Sequence, residues 1–518
     1  MKTKEKNPST TPQNSNVTKR IIIEALVVLI ILIPAILLSV YLKQIITSRI
    51  LKVVELKPNS EGYDTWLNPP TTIVRGYHLF NITNPDEIVI DPPLTTVKVN
   101  ETPAYSYLLS ATKKDIRWSN DNKAISYSIH RIFTRHKTQF NPSSVNDTGV
   151  WVDLLRAIFR TQFERKPGSS FFDIAGKNTF HRGNAIEQLE GFTSELFYLM
   201  RDKMKGPNID KYGFIYRYNG SRSYNYTIRS EIFYSYYCCL GLMEKGQVLA
   251  FASENAPFSF SSPNAYPVTI YDGLTFVPML FDKPTMNIFQ ADFCRPVTVK
   301  FNKVIRMFGG IDVHEYVIKF IDFDKCTVPS DINTCPELYK VDISKCISDS
   351  LPDNTIFLSK PHFFGSTDEE MKELNIEGLT PTRDQHEALI YFEPYSGTPL
   401  RAHHRVQLSI DATIDPMRKS SYGPDLEPTK LRGVRRVLPL LWIDQEVNID
   451  DATISKLRMV HLVLRYGQIV IMVGAIILAF IIIGIIEFTG RRRKPTNENI
   501  TPAEKSTRKP LLRQPDEL

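Results

Sequence analysis

Two uninterrupted apolar runs, one near each end, dominate the hydrophobic pattern of the chain. Residues 21–42 (IIIEALVVLIILIPAILLSVYL) and 468–488 (QIVIMVGAIILAFIIIGIIEF) each match the roughly 20 apolar residues needed to cross hydrocarbon, and both predict spanning helices. The first run is longer than the roughly 7–15 apolar residues of a removable signal, and Leu38 to Gln44 offers no small-x-small cleavage site, so it reads as a retained anchor. Pro34 predicts a kink in it.

Between the runs the pattern is of another kind. Apolar and polar residues alternate, or β-rich residues run together, at Ile88–Ile90, Thr95–Val99, Ala124–Thr134, Val297–Phe301, Glu315–Ile321 and Arg405–Ile410, which predicts strands. Proline-bearing breaks such as Asp91-Pro92-Pro93 and Glu393-Pro394 separate them. Two stripes have the 3.6-residue period of amphipathic helices: Trp151, Leu154, Leu155, Ile158, Phe159 and Phe163, then Ile186, Leu189, Phe192, Leu196, Leu199 and Met200. The expected fold is mainly β with α insertions, strands lying before residue 135 and after 295 around a helical segment. No glycine- or serine-rich linker divides residues 43–467, which read as one domain. Residues 1–20 and 489–518 are polar tails.

Charge fixes the orientation. Lys19 and Arg20 precede the first span and Arg491, Arg492, Arg493 and Lys494 follow the second, so the positive-inside rule puts both tails in the cytosol and residues 43–467 outside it. Glu24 and Glu487 lie within about a turn of the cytosolic boundary, where a carboxylate reaches the headgroups. The formal net charge of +7 is concentrated in the tails, each of which carries +4, so the large domain is close to neutral. A nucleic-acid partner is thereby excluded; the basic tails suit anionic lipid.

All six cysteines, Cys238, Cys239, Cys294, Cys326, Cys335 and Cys346, fall between the spans, which is oxidising-compartment usage. Five N-x-S/T sequons, at Asn81, Asn100, Asn146, Asn219 and Asn225, share that segment and are expected to be glycosylated. Sequons at Asn16 and Asn499 lie in the cytosolic tails and are expected to stay bare.

Local strings now become specific. Tyr77-His78-Leu79-Phe80-Asn81-Ile82-Thr83-Asn84-Pro85-Asp86-Glu87-Ile88 and Thr102-Pro103-Ala104-Tyr105-Ser106-Tyr107 resemble segments near the ectodomain start of class B scavenger receptors. Asp292-Phe293-Cys294-Arg295, Val341-Asp342-Ile343-Ser344-Lys345-Cys346 and Lys360-Pro361-His362-Phe363-Phe364 follow in the family's order. So do Glu377-Gly378-Leu379-Thr380-Pro381, Glu393-Pro394-Tyr395-Ser396-Gly397 and Val437-Leu438-Pro439-Leu440-Leu441-Trp442. The resemblance covers nearly the whole ectodomain and both anchors.

It implies a large antiparallel β-barrel-like ectodomain with an apical helical bundle and an internal lipid tunnel, anchored by two transmembrane helices. It further implies a receptor that binds lipids or lipoproteins and passes fatty acid, sterol or phospholipid through the tunnel to the membrane. By the family pattern Cys294 pairs with Cys346 and Cys326 with Cys335. Cys238 and Cys239 lack the partner that relatives use; a vicinal bridge, a bond between chains and a buried free thiol all stay open. Arg156, Arg160, Arg165 and Lys166 correspond loosely to apex positions where relatives meet anionic lipids, lipoproteins or a protein; an ordinary solvated helix face, with Arg160 and Glu164 paired, is the alternative.

Leu511-Leu512 resembles the dileucine of the family's lysosomal member, the receptor that ferries glucocerebrosidase, which adds hydrolase cargo and clathrin adaptors as expected partners. Its acidic residue is replaced here by Thr507, so late endosomal or lysosomal membrane and plasma membrane both stay open, as does a homo-oligomer. No enzyme is expected: nucleophile-elbow, phosphate-loop and H-E-x-x-H motifs are absent, and His386-Glu387 lacks a second histidine. His403-His404 point to opposite faces of a predicted strand and read as two surface histidines, so neither metal nor cofactor is called for.

Overall fold

The structure is a computed structural model that describes residues 13–89, 96–140, 147–154, 180–193, 211–216, 219–220, 222–229, 248–252, 259–260, 270–319, 340–347, 355–411 and 437–492. The chain divides into two compact units, one formed by both chain ends (1–44 and 463–518) and one by residues 45–462.

Helices Gln13–Val54 and Asp451–Arg492 carry the apolar runs, and the runs themselves lie in the first unit. Only 6% and 11% of their most apolar windows are buried, so neither is the core helix of a soluble fold. Arg20 donates to Glu24 at 3.1 Å and lies 2.6 Å from Glu487, tying the two helices at one end. At the other end Gln468 Nε2 donates to the Ser39 carbonyl at 3.0 Å, and Gly467 lies against Leu42. The pair is therefore antiparallel. The first helix runs without a break through Pro34.

The second unit is built on one large, nearly closed sheet. Its first half holds β1 (Thr71–Ile82), β2 (Val97–Glu101), β3 (Tyr105–Trp118) and β4 (Ala124–Arg135), then β5 (Thr148–Val152) and β6 (Phe180–Asn184), which form a separate ribbon, and β7 (Arg222–Arg229), β8 (Val248–Ala252) and β9 (Ser259–Phe260). Its second half holds β10 (Ile270–Tyr271), β11 (Thr285–Gln290), β12 (Arg295–Met307), β13 (Ile311–Lys319), β14 (Val341–Asp342), β15 (Ile356–Ser359), β16 (Ile376–Glu377), β17 (Leu389–Glu393), β18 (Thr398–Asp411) and β19 (Val437–Ile449). Strands β8, β7, β4, β3, β1, β19, β18, β17, β13, β12 and β11 are antiparallel neighbours in that order.

Period-two burial explains the strands. In β3, Tyr105, Tyr107 and Leu109 are buried while Leu108 and Ser110 face out; in β2, Val97 and Val99 are in and Lys98 and Asn100 out. Each large apolar side chain so buried contributes about 1.5–3 kcal/mol. Two prolines inside the sheet, Pro399 in β18 and Pro439 in β19, sit beside register shifts, and Pro296 is the second residue of β12. The sheet then curls until its two halves touch: Tyr127 of β4 donates to Asp272 at 2.8 Å, Arg131 meets Asp292 at 2.8 Å, and the rings of Phe251 and Phe289 lie 4.6 Å apart.

Four local expectations need correction. Ile88 and Val89, expected with Ile90 to form a strand, close the helix Pro85–Val89 instead, because proline is preorganised for the first helical turn and Asp86 and Glu87 suit its positive end; Ile90 lies outside the described residues. Trp151 sits in β5, packed into the core with its ring N–H on the Gly183 carbonyl, rather than on a helix. The stripe from Ile186 ends early: helix Ala185–Glu190 stops at Gly191, whose φ of 117° leaves the helical region, and Phe192 bridges to Tyr212 instead. Strands β7 and β8 extend the main sheet within the segment expected to be helical; the rest of that segment lies largely outside the described residues.

Candidate functional site

The buried polar groups of the second unit gather in two clusters. In the first, neighbouring strands supply the parts. His78 of β1 and Trp442 of β19 are register partners, and their rings stack at 3.9 Å. Both point at Glu101, at the end of β2: His78 Nδ1 lies 2.7 Å from its carboxylate and Trp442 Nε1 donates at 3.0 Å. His362, buried in a turn with φ of 54°, completes the set, its Nε2 donating to Glu101 at 2.8 Å while its Nδ1 accepts the Thr380 N–H at 2.9 Å. The second bond fixes the tautomer, leaving the proton on Nε2.

Burial alone would raise the Glu101 carboxyl, but the bonds from His362 and His78 outweigh it and hold the group far below its ordinary range. His386 stacks on His362 at 4.4 Å and accepts the Thr382 N–H on Nδ1 at 2.8 Å. Burial, and then the neighbouring His362, push it down to about 4. A carboxylate that accepts from three N–H donors, with its side chain 27% exposed, serves as a fastening between strands.

The second cluster crosses the curled sheet beside the Cys294–Cys346 bond. Arg75 of β1, 9% exposed, donates from Nε to Gln445 of β19 at 3.0 Å, and its Nη2 lies 3.6 Å from Asp292. Arg131 of β4 reaches the other oxygen of Asp292 at 2.8 Å. His404 is buried on the same side, and burial, aided by Arg75, depresses it to about 4. Two guanidiniums thus converge on one carboxylate. Asp292 comes two residues before Cys294, so the disulfide fixes its place.

The structure joins Cys294 to Cys346 across a sequence separation of 52, with Cα atoms 5.6 Å apart. Cys238, Cys239, Cys326, Cys335, Asn146, Arg156, Arg160, Arg165, Lys166, Leu511 and Leu512 lie outside the described residues. Asn100 and Asn225 are exposed; the Asn219 side chain accepts the Phe133 N–H, and Asn81, half-buried, accepts the Val150 N–H at 2.8 Å. The adjacent histidines of β18 are not surface groups. His403 is half-buried with Nδ1 3.3 Å from Asp444, and His404 faces Arg75 and Asp292, because β18 is a central strand paired along both edges by β17 and β19. Among the described residues no three His, Cys, Asp or Glu side chains are grouped to hold a metal ion. Sequence reasoning missed both clusters. Their signal was present in four of the family-like strings, since His78, Asp292, His362 and Trp442 each lie in one.

The chain is 23% identical over 431 residues to Lysosome membrane protein 2 of Homo sapiens, covering 79% of this chain and 81% of that protein. It is 23% identical over 468 residues to Scavenger receptor class B member 1 of Bos taurus, covering 86% of each. It is 24% identical over 454 residues to Sensory neuron membrane protein 1 of Manduca sexta, covering 80% of each. The family model described as CD36 family matches residues 25–488, from inside the first apolar helix to the end of the second span, and the chain belongs to that family.

Proposed function

We propose that this chain is a class B scavenger receptor that takes lipid from a particle or carrier and passes it through the ectodomain barrel to its own bilayer. The observation that carries this reading is the reach of the family match, which takes in the curled sheet and both apolar helices together. The fold suits such a role: Thr71 and Ile449, at the ends of β1 and β19 nearest the two apolar helices in sequence, are direct register partners. An acyl chain in water is disfavoured by about 0.8 kcal/mol per methylene, so a covered apolar route needs no energy source when transfer is downhill. Purified full-length chain in nanodiscs should bind fluorescent fatty acid or sterol saturably and speed its transfer from donor vesicles. Linear uptake no greater than that of empty nanodiscs would rule this function out.

A second reading is a lysosomal membrane receptor that delivers a hydrolase such as glucocerebrosidase. Similarity to Lysosome membrane protein 2 favours it, as does Leu511-Leu512 in the C-terminal tail. Capture of one hydrolase in a stoichiometric ratio at pH 7 with release at pH 5, together with cell-surface retention when Leu511 and Leu512 become alanine, would establish it.

A further inference from the structure

We propose that residues 380–382 form an acid-released strap, held shut by two neutral imidazoles and let go when a ring takes up a proton. The strap lies between β16 and β17 and is exposed, whereas the histidines that hold it, His362 and His386, are buried. Thr380 gives its N–H to His362 Nδ1 at 2.9 Å, and Thr382 gives its N–H to His386 Nδ1 at 2.8 Å. Pro381 between them has no N–H. Both backbone donors of the strap therefore end on ring nitrogens that accept only while the imidazole is neutral.

The other nitrogen of His362 is already committed, since Nε2 donates to Glu101. An incoming proton must therefore go to Nδ1, and the same holds for His386, whose accepting Nδ1 leaves the first proton on Nε2. There it sets one buried N–H against another, which costs more than the bond it replaces. Movement is confined to the middle of the segment by its two ends. Gly378, with φ of 99°, is so close to β2 that a Cβ would lie 2.0 Å from the Val99 carbonyl oxygen. On the far side Arg405 donates to the carbonyls of Asp384 at 2.7 Å and Glu387 at 3.1 Å, bonds that acid does not touch.

The surroundings set the range of pH. His386 stacks on His362 at 4.4 Å and meets the edge of Trp442, with Arg405 of β18 and His78 of β1 nearby opposing a positive ring and Glu101 of β2 favouring one. Glu387, next in sequence, is taken by Lys360 at 2.6 Å. Burial first, and then His362, hold His386 down to about 4 with the strap shut, whereas a released ring titrates at its ordinary 6.5. Between those values the open form binds a proton that the shut form refuses, so opening grows as pH falls and levels off below 4. From pH 7 to pH 5 the open fraction should rise about twentyfold. The proposal holds whether or not lipid passes through the barrel.

Amide hydrogen exchange tests it, read by peptide mass spectrometry on full-length chain in nanodiscs and divided by the intrinsic rate at each pH. Protection of Thr380 and Thr382 should fall about twentyfold between pH 7 and pH 5, while β19 stays unexchanged over the same time. His386→Asn offers Thr382 an acceptor that takes no proton, and should remove the drop. Equal protection at both pH values in the parent chain overturns the proposal, as does an undiminished drop in His386→Asn. Exchange of β19 on the same time course as residues 380–382 also overturns it, by assigning the effect to global unfolding, and the parent chain gives that answer even if the variant does not fold.

Discussion

Glu101 concentrates the residue-scale argument, since one carboxylate accepts from His78, His362 and Trp442. Glu101→Gln turns one acceptor oxygen into a donor facing other donors, and should cost about 2 kcal/mol in denaturant unfolding of the full-length chain. An unchanged midpoint would mean that the fastening contributes nothing. The histidines set a different pH window. His386 and His404 fall from 6.5 in the free side chain to about 4 in the fold. Below 6.5 the unfolded chain takes up protons that the folded chain refuses, so stability is full above 6.5, declines between 6.5 and 4, and is flat for these groups below 4. Glu101 acts lower, its contribution disappearing as pH drops beneath the ordinary carboxylate range of about 4.5. The unfolding midpoint should therefore fall on acidification from pH 7 to 5 through the histidines. His386→Asn, which keeps an acceptor for the Thr382 N–H, should flatten that slope even if it lowers stability throughout. These residues were readable as parts of recognisable strings, but not as a cluster. Positions 78, 101, 362 and 442 meet only through long-range register, and spacing along the chain does not encode register.

Among elements, the outcome followed local chemistry wherever one competing signal was strong. Alternation carried β2 and β4, because burial on one face and solvent on the other leaves a period that can be counted. Strands covered on both faces, such as β15 with every residue buried, lose that period and were not picked out. At Ile88 the helix start at Asn84-Pro85 outweighed β-branched residues, and at Gly191 a backbone turn outweighed an apolar stripe that the sequence continues to Met200. Gly397 belongs to this scale. Its φ is 73° between β17 and β18, and an added Cβ would lie 2.0 Å from the Val277 carbonyl oxygen. Gly397→Ala should cost about 3 kcal/mol, combining left-handed strain with displacement of a buried turn, whereas a surface alanine would leave the melt unchanged. The Cys294–Cys346 link holds the loop that positions Asp292. Replacing both cysteines with serine should remove about 4 kcal/mol by the chain-entropy relation for a loop of this length. Loss of the Arg131–Asp292 contact should follow, visible as faster hydrogen exchange in β4.

At the scale of the whole molecule, the apolar runs were legible because a bilayer imposes length and composition on any helix that crosses it, independently of tertiary contacts. The structure adds that Arg20, Glu24 and Glu487 share one end of the antiparallel helix pair, the end next to both basic tails in sequence. Charged groups clustered there stay within reach of headgroups and water. The positive-inside expectation puts the tails and residues 43–467 on opposite faces of the membrane, and sugar reports the face directly. Asn100 and Asn225, exposed on β2 and β7, should carry glycans, while Asn16 and Asn499 should carry none. Asn81 is a sharper case: its side chain already accepts the Val150 N–H across to β5, so its amide is partly enclosed and its occupancy should fall below that of Asn100, its register partner. Peptide mapping after enzymatic deglycosylation in heavy-oxygen water reads all five positions at once. Sugar on Asn16 or Asn499 would reverse the membrane orientation, and with it every argument that places the barrel outside the cytosol.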